Sequence, residues 1–297
     1  KIAKLAKDLD AFVTITVQKG SDVTIKILCL DASAQLRETT AKGLATIYFS
    51  ATMSPMNYFY QLLGGNENDM DMQLPSPFPE QNLCLNLINR ISTRYRDREV
   101  SYKPIADYLT AFVNQKKGNY LICFPSYAYM DRVFEQFFPL NLEMDLVKQQ
   151  RSMTEPDRDR FLDRFTVDRP KTLVGFIVMG GIFAESVDLP GERLTGAAII
   201  GVGLPQINKE RDLILQYFDY LSGSGFQFAY TFPGMSRVLQ AAGRVIRTET
   251  DRGSLLLIDD RFAHAGYQRL FPPEWSGMNL IRNQEHLTEI LADFWSE

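Results

Sequence analysis

From about residue 83 onward, short apolar runs alternate with amphipathic stretches. Leu83–Ile88, Tyr120–Phe124, Leu142–Val147, Thr172–Val178, Ala197–Val202 and Ser254–Ile258 read as buried strands. Between them, Pro104–Val113, Ala128–Phe138, Glu155–Phe165, Lys209–Leu221 and Met235–Arg247 repeat their apolar positions at helical spacing. Apolar strands separated by helices predict an α/β fold, with a parallel sheet covered by helices on both faces. Ligands of such sheets bind at the carboxyl ends of the strands. Upstream, Phe12–Val17 and Val23–Leu30 alternate around the turn Lys19–Asp22, as a hairpin does. The run Ala45–Phe49 reads as one more buried strand, leading through Ser50-Ala51-Thr52-Met53-Ser54-Pro55 into a helix that Gly64-Gly65 ends. Pro75–Pro79 is the best linker and divides the chain into residues 1–75 and 76–297.

The octet Gln240–Arg247 has the most distinctive chemistry. On a helix at about 100° per residue, Gln240, Arg244 and Arg247 fall at roughly 0°, 40° and −20°, one narrow polar stripe. Gly243 lies beside it, where a missing Cβ allows close approach to the backbone. Planar guanidinium forks match phosphate oxygens, although a solvated arginine face has the same spacing.

Three more strand ends carry unusual residues, and each has two readings. Ser50 and Thr52 either relay hydrogen bonds from a nucleotide site or simply cap a helix. Ser126 either offers a phosphate the first amides of a helix or only caps it, and Tyr127 and Tyr129 either stack on bases or pack. In Met179–Gly191, Gly180 and Gly181 permit close backbone approach, and Glu185 and Asp188 place two carboxylates in a short loop. Such carboxylates accept from ribose hydroxyls, or the loop is a turn held by Asp and Pro-Gly. A fourth strand end, Asp259-Asp260-Arg261, either positions a neighbouring arginine or terminates the sheet.

The 297 residues are enough for one large domain or two small ones, and 45% hydrophobic with 23% charged residues is globular composition. A net charge of −4 argues against a surface basic all over, though not against a local basic groove. Cys29, Cys84 and Cys123 are scattered and odd in number, which fits reduced, buried thiols in a cytoplasmic protein rather than disulfides or a metal site. No apolar run is long enough to span a membrane. A Gly-x-x-x-x-Gly-Lys-Ser/Thr loop is absent, as is the Gly-x-Gly-x-x-Gly turn that a dinucleotide enzyme would need. His264 and His286 are isolated, so no catalytic dyad is suggested. Phosphate-facing arginines without a phosphate loop look like half of a composite nucleotide site.

Taken in order, these motifs resemble superfamily 2 DNA helicases of the XPD/DinG type, from about Leu30 onward, with bacterial DinG-like enzymes the most similar. Ser50–Met53 is similar to motif III, Tyr120–Tyr129 to motif IV, Gly180–Gly191 to motif V and Gln240–Arg247 to motif VI. Ser186 stands where the family usually has glycine, and Met53 where leucine is commoner. The resemblance implies a RecA-like second motor domain over 76–297, after a tail of the first motor. Within it, Asp188 would meet the ribose with Glu185 beside it, Gln240 and Arg244 the phosphates, and Arg247 would be the arginine finger. Ser50 and Thr52 would couple nucleotide state to DNA; Ser126, Tyr127, Arg94, Gly180 and Gly181 are candidates for a single-stranded DNA track. ATP and Mg²⁺ would need the phosphate loop and metal carboxylates of the first motor, which lie upstream in the family with any iron–sulfur cluster. The chain is expected to start within a longer protein, an ATP-dependent 5′→3′ DNA helicase, and to be inactive alone. A catalytically inactive nucleic-acid- or partner-binding scaffold is the alternative.

Overall fold

The computed structural model describes residues 11–180, 183, 189 and 191–296. They form two compact units, one from the described residues up to Gln73 with Gln206–Pro233, the other from the described residues between Leu74 and Pro205 with those from Gly234 to Ser296.

In the first unit, β1 (Phe12–Lys19) and β2 (Asp22–Cys29) form an antiparallel hairpin in the expected register, Phe12 opposite Cys29. Gly20 supplies the left-handed turn residue at φ +61°. α1 (Ser33–Thr40) and α2 (Met56–Leu62) follow, and Gly64 at φ +76° ends the second. Arg37 donates to the Gly64 carbonyl and ties the two helices together. α6 (Lys209–Ser222) and the π-helical turn Gln227–Thr231 belong to this unit too, with Phe218 stacked on Phe228.

Ala45–Phe49 does not form the expected strand: the run has no regular secondary structure and no ladder partners, and Phe49 is 90% exposed. An apolar run becomes a central strand only where neighbouring strands take its N–H and C=O groups. The strands described in this unit, β1 and β2, pair with each other.

The second unit holds a seven-stranded, wholly parallel sheet. Its strands are β3 (Leu83–Ile88), β4 (Asn119–Phe124), β5 (Asp145–Lys148), β6 (Leu173–Val178), β7 (Gly196–Ile200), β8 (Gly253–Ile258) and β9 (Asn279–Leu280), in the spatial order β5-β6-β4-β7-β8-β3-β9. One face packs Ile122, Phe124, Val174, Phe176, Ala198 and Ile200 against α3 (Arg98–Val113), α4 (Tyr127–Phe137) and α8 (Gln284–Ser296). The alternate residues Leu121, Cys123, Ile177 and Ile199 are equally buried. Beneath them lie α5 (Glu155–Leu162) and α7 (Phe232–Ala242). Gly175 stands within β6 because a Cβ there would meet Phe165 at 2.6 Å and Phe161 at 3.2 Å. A purely parallel sheet with helices on both faces matches the expected fold class.

Helix boundaries differ most from expectation at the start of α3 and the end of α7. α3 begins at Arg98 and holds Pro104 in its interior. Its extra first turn is paid for by packing: Ser101 Oγ lies 2.6 Å from the Tyr129 hydroxyl, and the Arg98 guanidinium sits 4.8 Å from the Tyr129 ring centroid. α7 ends at Ala242, five residues before Arg247. The Arg247 and Thr248 amides donate to the Asp251 carboxylate, at 2.6 and 2.9 Å, instead of to carbonyls one helical turn back. The α8 helix and the edge strand β9 carry no motif and were not anticipated.

Candidate nucleotide-facing site

A small recess opens at the carboxyl ends of β4 and β6, lined by Cys123, Met179, Gly180, Phe183, Gln240 and Arg244. Two mechanisms build it. Gln240 and Arg244 reach it from one side of the α7 end, while Val238, Ala241, Ala242 and Val245 are buried, as the periodicity requires. Gly180, at φ +75°, lets the chain turn away from β6 where a Cβ would strike the Arg237 guanidinium at 2.7 Å.

Arg244 is only 4% exposed. Burial lowers its pKa, the Arg247 charge lowers it further, and Cys123 pulls the other way. A guanidinium whose charge is disfavoured by burial and by a second guanidinium gains from any anion that enters. Burial pushes the Cys123 thiol up to about 12, against the pull of Arg244, so it is neutral and inert at physiological pH. Cys29, Cys84 and Cys123 are all free thiols.

Arg247 lies beyond the helix, so the single stripe is broken: Gln240 and Arg244 share the recess, and Arg247 is placed by the turn after it. Asp251 is the organiser of that turn. Burial alone would raise its pKa; hydrogen bonds from the Thr248 hydroxyl and from the Arg247, Thr248 and Gly191 amides outweigh this and lower it. Gly243 is exposed, and a Cβ there would meet only the Leu239 carbonyl at 3.3 Å, so packing inside the chain does not demand glycine. Arg237 was missed: at i, i+3 and i+7, residues 237, 240 and 244 share a face, and extending the stripe one turn upstream would have found it.

The other candidates are placed as follows. Ser126 caps α4 by accepting from the Tyr129 amide. The Tyr127 hydroxyl accepts from Gln149 Nε2 at 2.8 Å, and Gln149 Oε1 accepts from the Val178 amide at 2.8 Å, which joins the ends of β4, β5 and β6. Tyr129 is buried, with its pKa raised by burial to about 12, and acts in packing. Arg94 is held by Asp260 and Ser92, so the Asp259-Asp260-Arg261 turn does position an arginine. Ser50 and Thr52 belong to the first unit, where Ser50 Oγ accepts from the Thr52 amide at 3.1 Å. Gly181, Glu185, Ser186 and Asp188 lie outside the described residues. Among the described residues no cluster of metal-ligating side chains occurs, and no helix is long and apolar enough to cross a membrane.

A wholly parallel sheet, helix-covered on both faces, with guanidiniums gathered at its carboxyl edge, has the RecA-like fold of helicase C-terminal domains. The chain belongs to the helicase C-terminal domain family, of the XPD/DinG type: the family model matches residues 109–277. It is 26% identical to the ATP-dependent DNA helicase DinG of Photobacterium profundum over 90% of this chain and 40% of that protein. It is 25% identical to the ATP-dependent DNA helicase XPD of Sulfolobus acidocaldarius over 74% of this chain and 39% of that protein. Its fold matches the solved structure of apo XPD with a TM-score of 0.68 at 19% identity, covering 94% of this chain and 56% of that one. The chain thus spans about two fifths of the length of these two curated relatives.

Proposed function

We propose that this chain is the second-motor portion of an ATP-dependent 5′→3′ DNA helicase, with 76–297 forming motor domain 2 and 1–75 the tail of motor domain 1. One observation carries the proposal: Gln240 from α7, Arg244 from the turn after it and Gly180 from just past β6 meet in one recess at the carboxyl edge of a parallel sheet. Arg244 and Gln240 would hold phosphate oxygens. Arg247, set by Asp251, would stabilise charge on the transferring γ-phosphoryl, and the uncrowded Gly243 would let a phosphate approach the backbone. Asp188 and Glu185 would meet the ribose. Bound ATP would supply the cleavable phosphoanhydride, and Mg²⁺ would be held by carboxylates of the first motor, whose sheet would also pair the exposed Ala45–Phe49 run. Ser50 and Thr52 would pass the nucleotide state on to the DNA. Ser126, Tyr127, Arg94, Gly180 and Gly181 would line the single-stranded DNA track.

The pure chain is expected to show no ATP turnover with or without single-stranded DNA. The longer parent chain is expected to hydrolyse ATP when single strands are added and to unwind duplexes bearing a 5′ tail. Turnover that tracks with the pure chain would overturn the shared-site proposal, and unwinding only from a 3′ tail would overturn the polarity. In the parent, Asp251→Ala is expected to lower turnover about 100-fold with nucleotide affinity retained, because it releases the backbone that aims Arg247. Unchanged turnover would show that the turn holds Arg247 without Asp251.

A further inference from the structure

Tyr95 is 87% exposed, whereas Tyr120, Tyr129, Phe112, Phe124 and Phe176 of the same unit are buried. It opens the 3-10 turn Tyr95–Asp97 after β3, which the Asp97 amide closes onto the Arg94 carbonyl at 2.8 Å. The turn is anchored on both sides. Arg94 is fixed by Asp260 and by Ser92 Oγ. Arg98 donates through Nε to the Thr93 carbonyl at 3.4 Å, and its guanidinium carbon lies 5.5 Å from the Tyr95 ring centroid and 4.8 Å from that of Tyr129. One guanidinium therefore joins the exposed ring to a buried one. Tyr129 is in the first turn of α4, where its amide donates to Ser126 Oγ.

An exposed ring on a short, anchored turn loses little conformational freedom when something stacks on it. Of the guanidiniums around it, Arg94 pairs with Asp260 and Arg96 with Asp97 at 3.5 Å, while Arg98 lies against the ring itself. The feature offered to a partner is thus an open aromatic face rather than a positive field. Bases of single strands use such faces, without sequence preference. We infer that Tyr95 is a base-stacking platform for single-stranded DNA, beside the α4 N-terminus. The inference rests on the DNA-motor proposal above.

The test uses this chain with fluorescent oligo-dT and with an abasic oligomer of equal length, followed by anisotropy. Tyr95→Ala is expected to weaken oligo-dT binding about tenfold and leave abasic binding unchanged, and Tyr95→Trp to keep or improve oligo-dT binding. Raising salt should weaken every complex but leave the ratio of wild type to Tyr95→Ala constant, because the lost contact is uncharged. Equal affinities of wild type and Tyr95→Ala for oligo-dT would overturn the inference, as would an equal loss on the abasic strand. In both cases the DNA-motor proposal stands. If wild type binds neither strand, DNA binding by this portion fails, and the platform with it.

Discussion

Arg247→Ala in the parent enzyme is expected to cut single-strand-stimulated ATP turnover about 10³-fold or more, with nucleotide binding retained. The size follows from the role proposed for the side chain. A guanidinium that meets charge developing on the γ-phosphoryl acts in the transition state, so its loss falls on kcat rather than on affinity. Arg247→Lys is expected to recover little, since an ammonium keeps the charge but not the planar fork. Arg244→Ala should differ in kind: Arg244 is buried in the recess, and its removal is expected to weaken nucleotide binding as well as turnover. Steady-state hydrolysis and nucleotide-binding titrations on the same preparations separate the two. Unchanged turnover in Arg247→Ala would make the octet structural, and a wild-type parent without turnover would favour the scaffold alternative.

Asp259→Ala is expected to destabilise the second unit by about 3–5 kcal/mol, because it leaves a partly buried guanidinium without its carboxylate. Asp259 is fully buried at the end of β8 and accepts from Arg261 Nε at 2.7 Å, Arg261 Nη2 at 2.9 Å, the Arg261 amide and the Thr93 hydroxyl. In a domain of this size the loss corresponds to a melting point lower by about 10 °C. Burial alone would raise the Asp259 pKa, but the hydrogen bonds and charge of Arg261, with the Thr93 hydroxyl, outweigh it and hold the carboxyl below its ordinary value. The folded state thus favours the carboxylate. Its stabilisation is complete above the unfolded pKa of about 4 and is lost as pH falls through the lower folded value. Denaturant unfolding of wild type at pH 7 and in acid should show this loss, and Asp259→Ala should show a smaller acid dependence. Equal acid dependence in the two proteins would place the linkage elsewhere.

The inner strands β3, β4, β6, β7 and β8 were legible because each is buried on both faces, which leaves nearly unbroken apolar runs bounded by polar turns. The small, edge-pairing β9 has no such run and was missed. Pro104 reads locally as a helix start, yet α3 begins six residues earlier because Arg98 and Ser101 dock on Tyr129, a partner distant in sequence. In the octet, periodicity correctly joined Gln240 to Arg244, since both precede or adjoin the helix end. It failed for Arg247, whose amide goes to a carboxylate four residues ahead.

The order and spacing of the motifs, the α/β class and the convergence of Gln240 and Arg244 were determined by the sequence alone, because they depend on local periodicity and on burial of a repeated apolar face. Only the tertiary structure decided that Asp251 sets Arg247 and that Tyr95 is left open on Arg98. Each of these depends on which hydrogen-bond or packing partner wins among groups that compete in space, and spacing along the chain does not rank those competitors. Ala45–Phe49 shows the same limit from the other side: its residues have the make-up of a central strand, but pairing belongs to neighbours and not to the run itself.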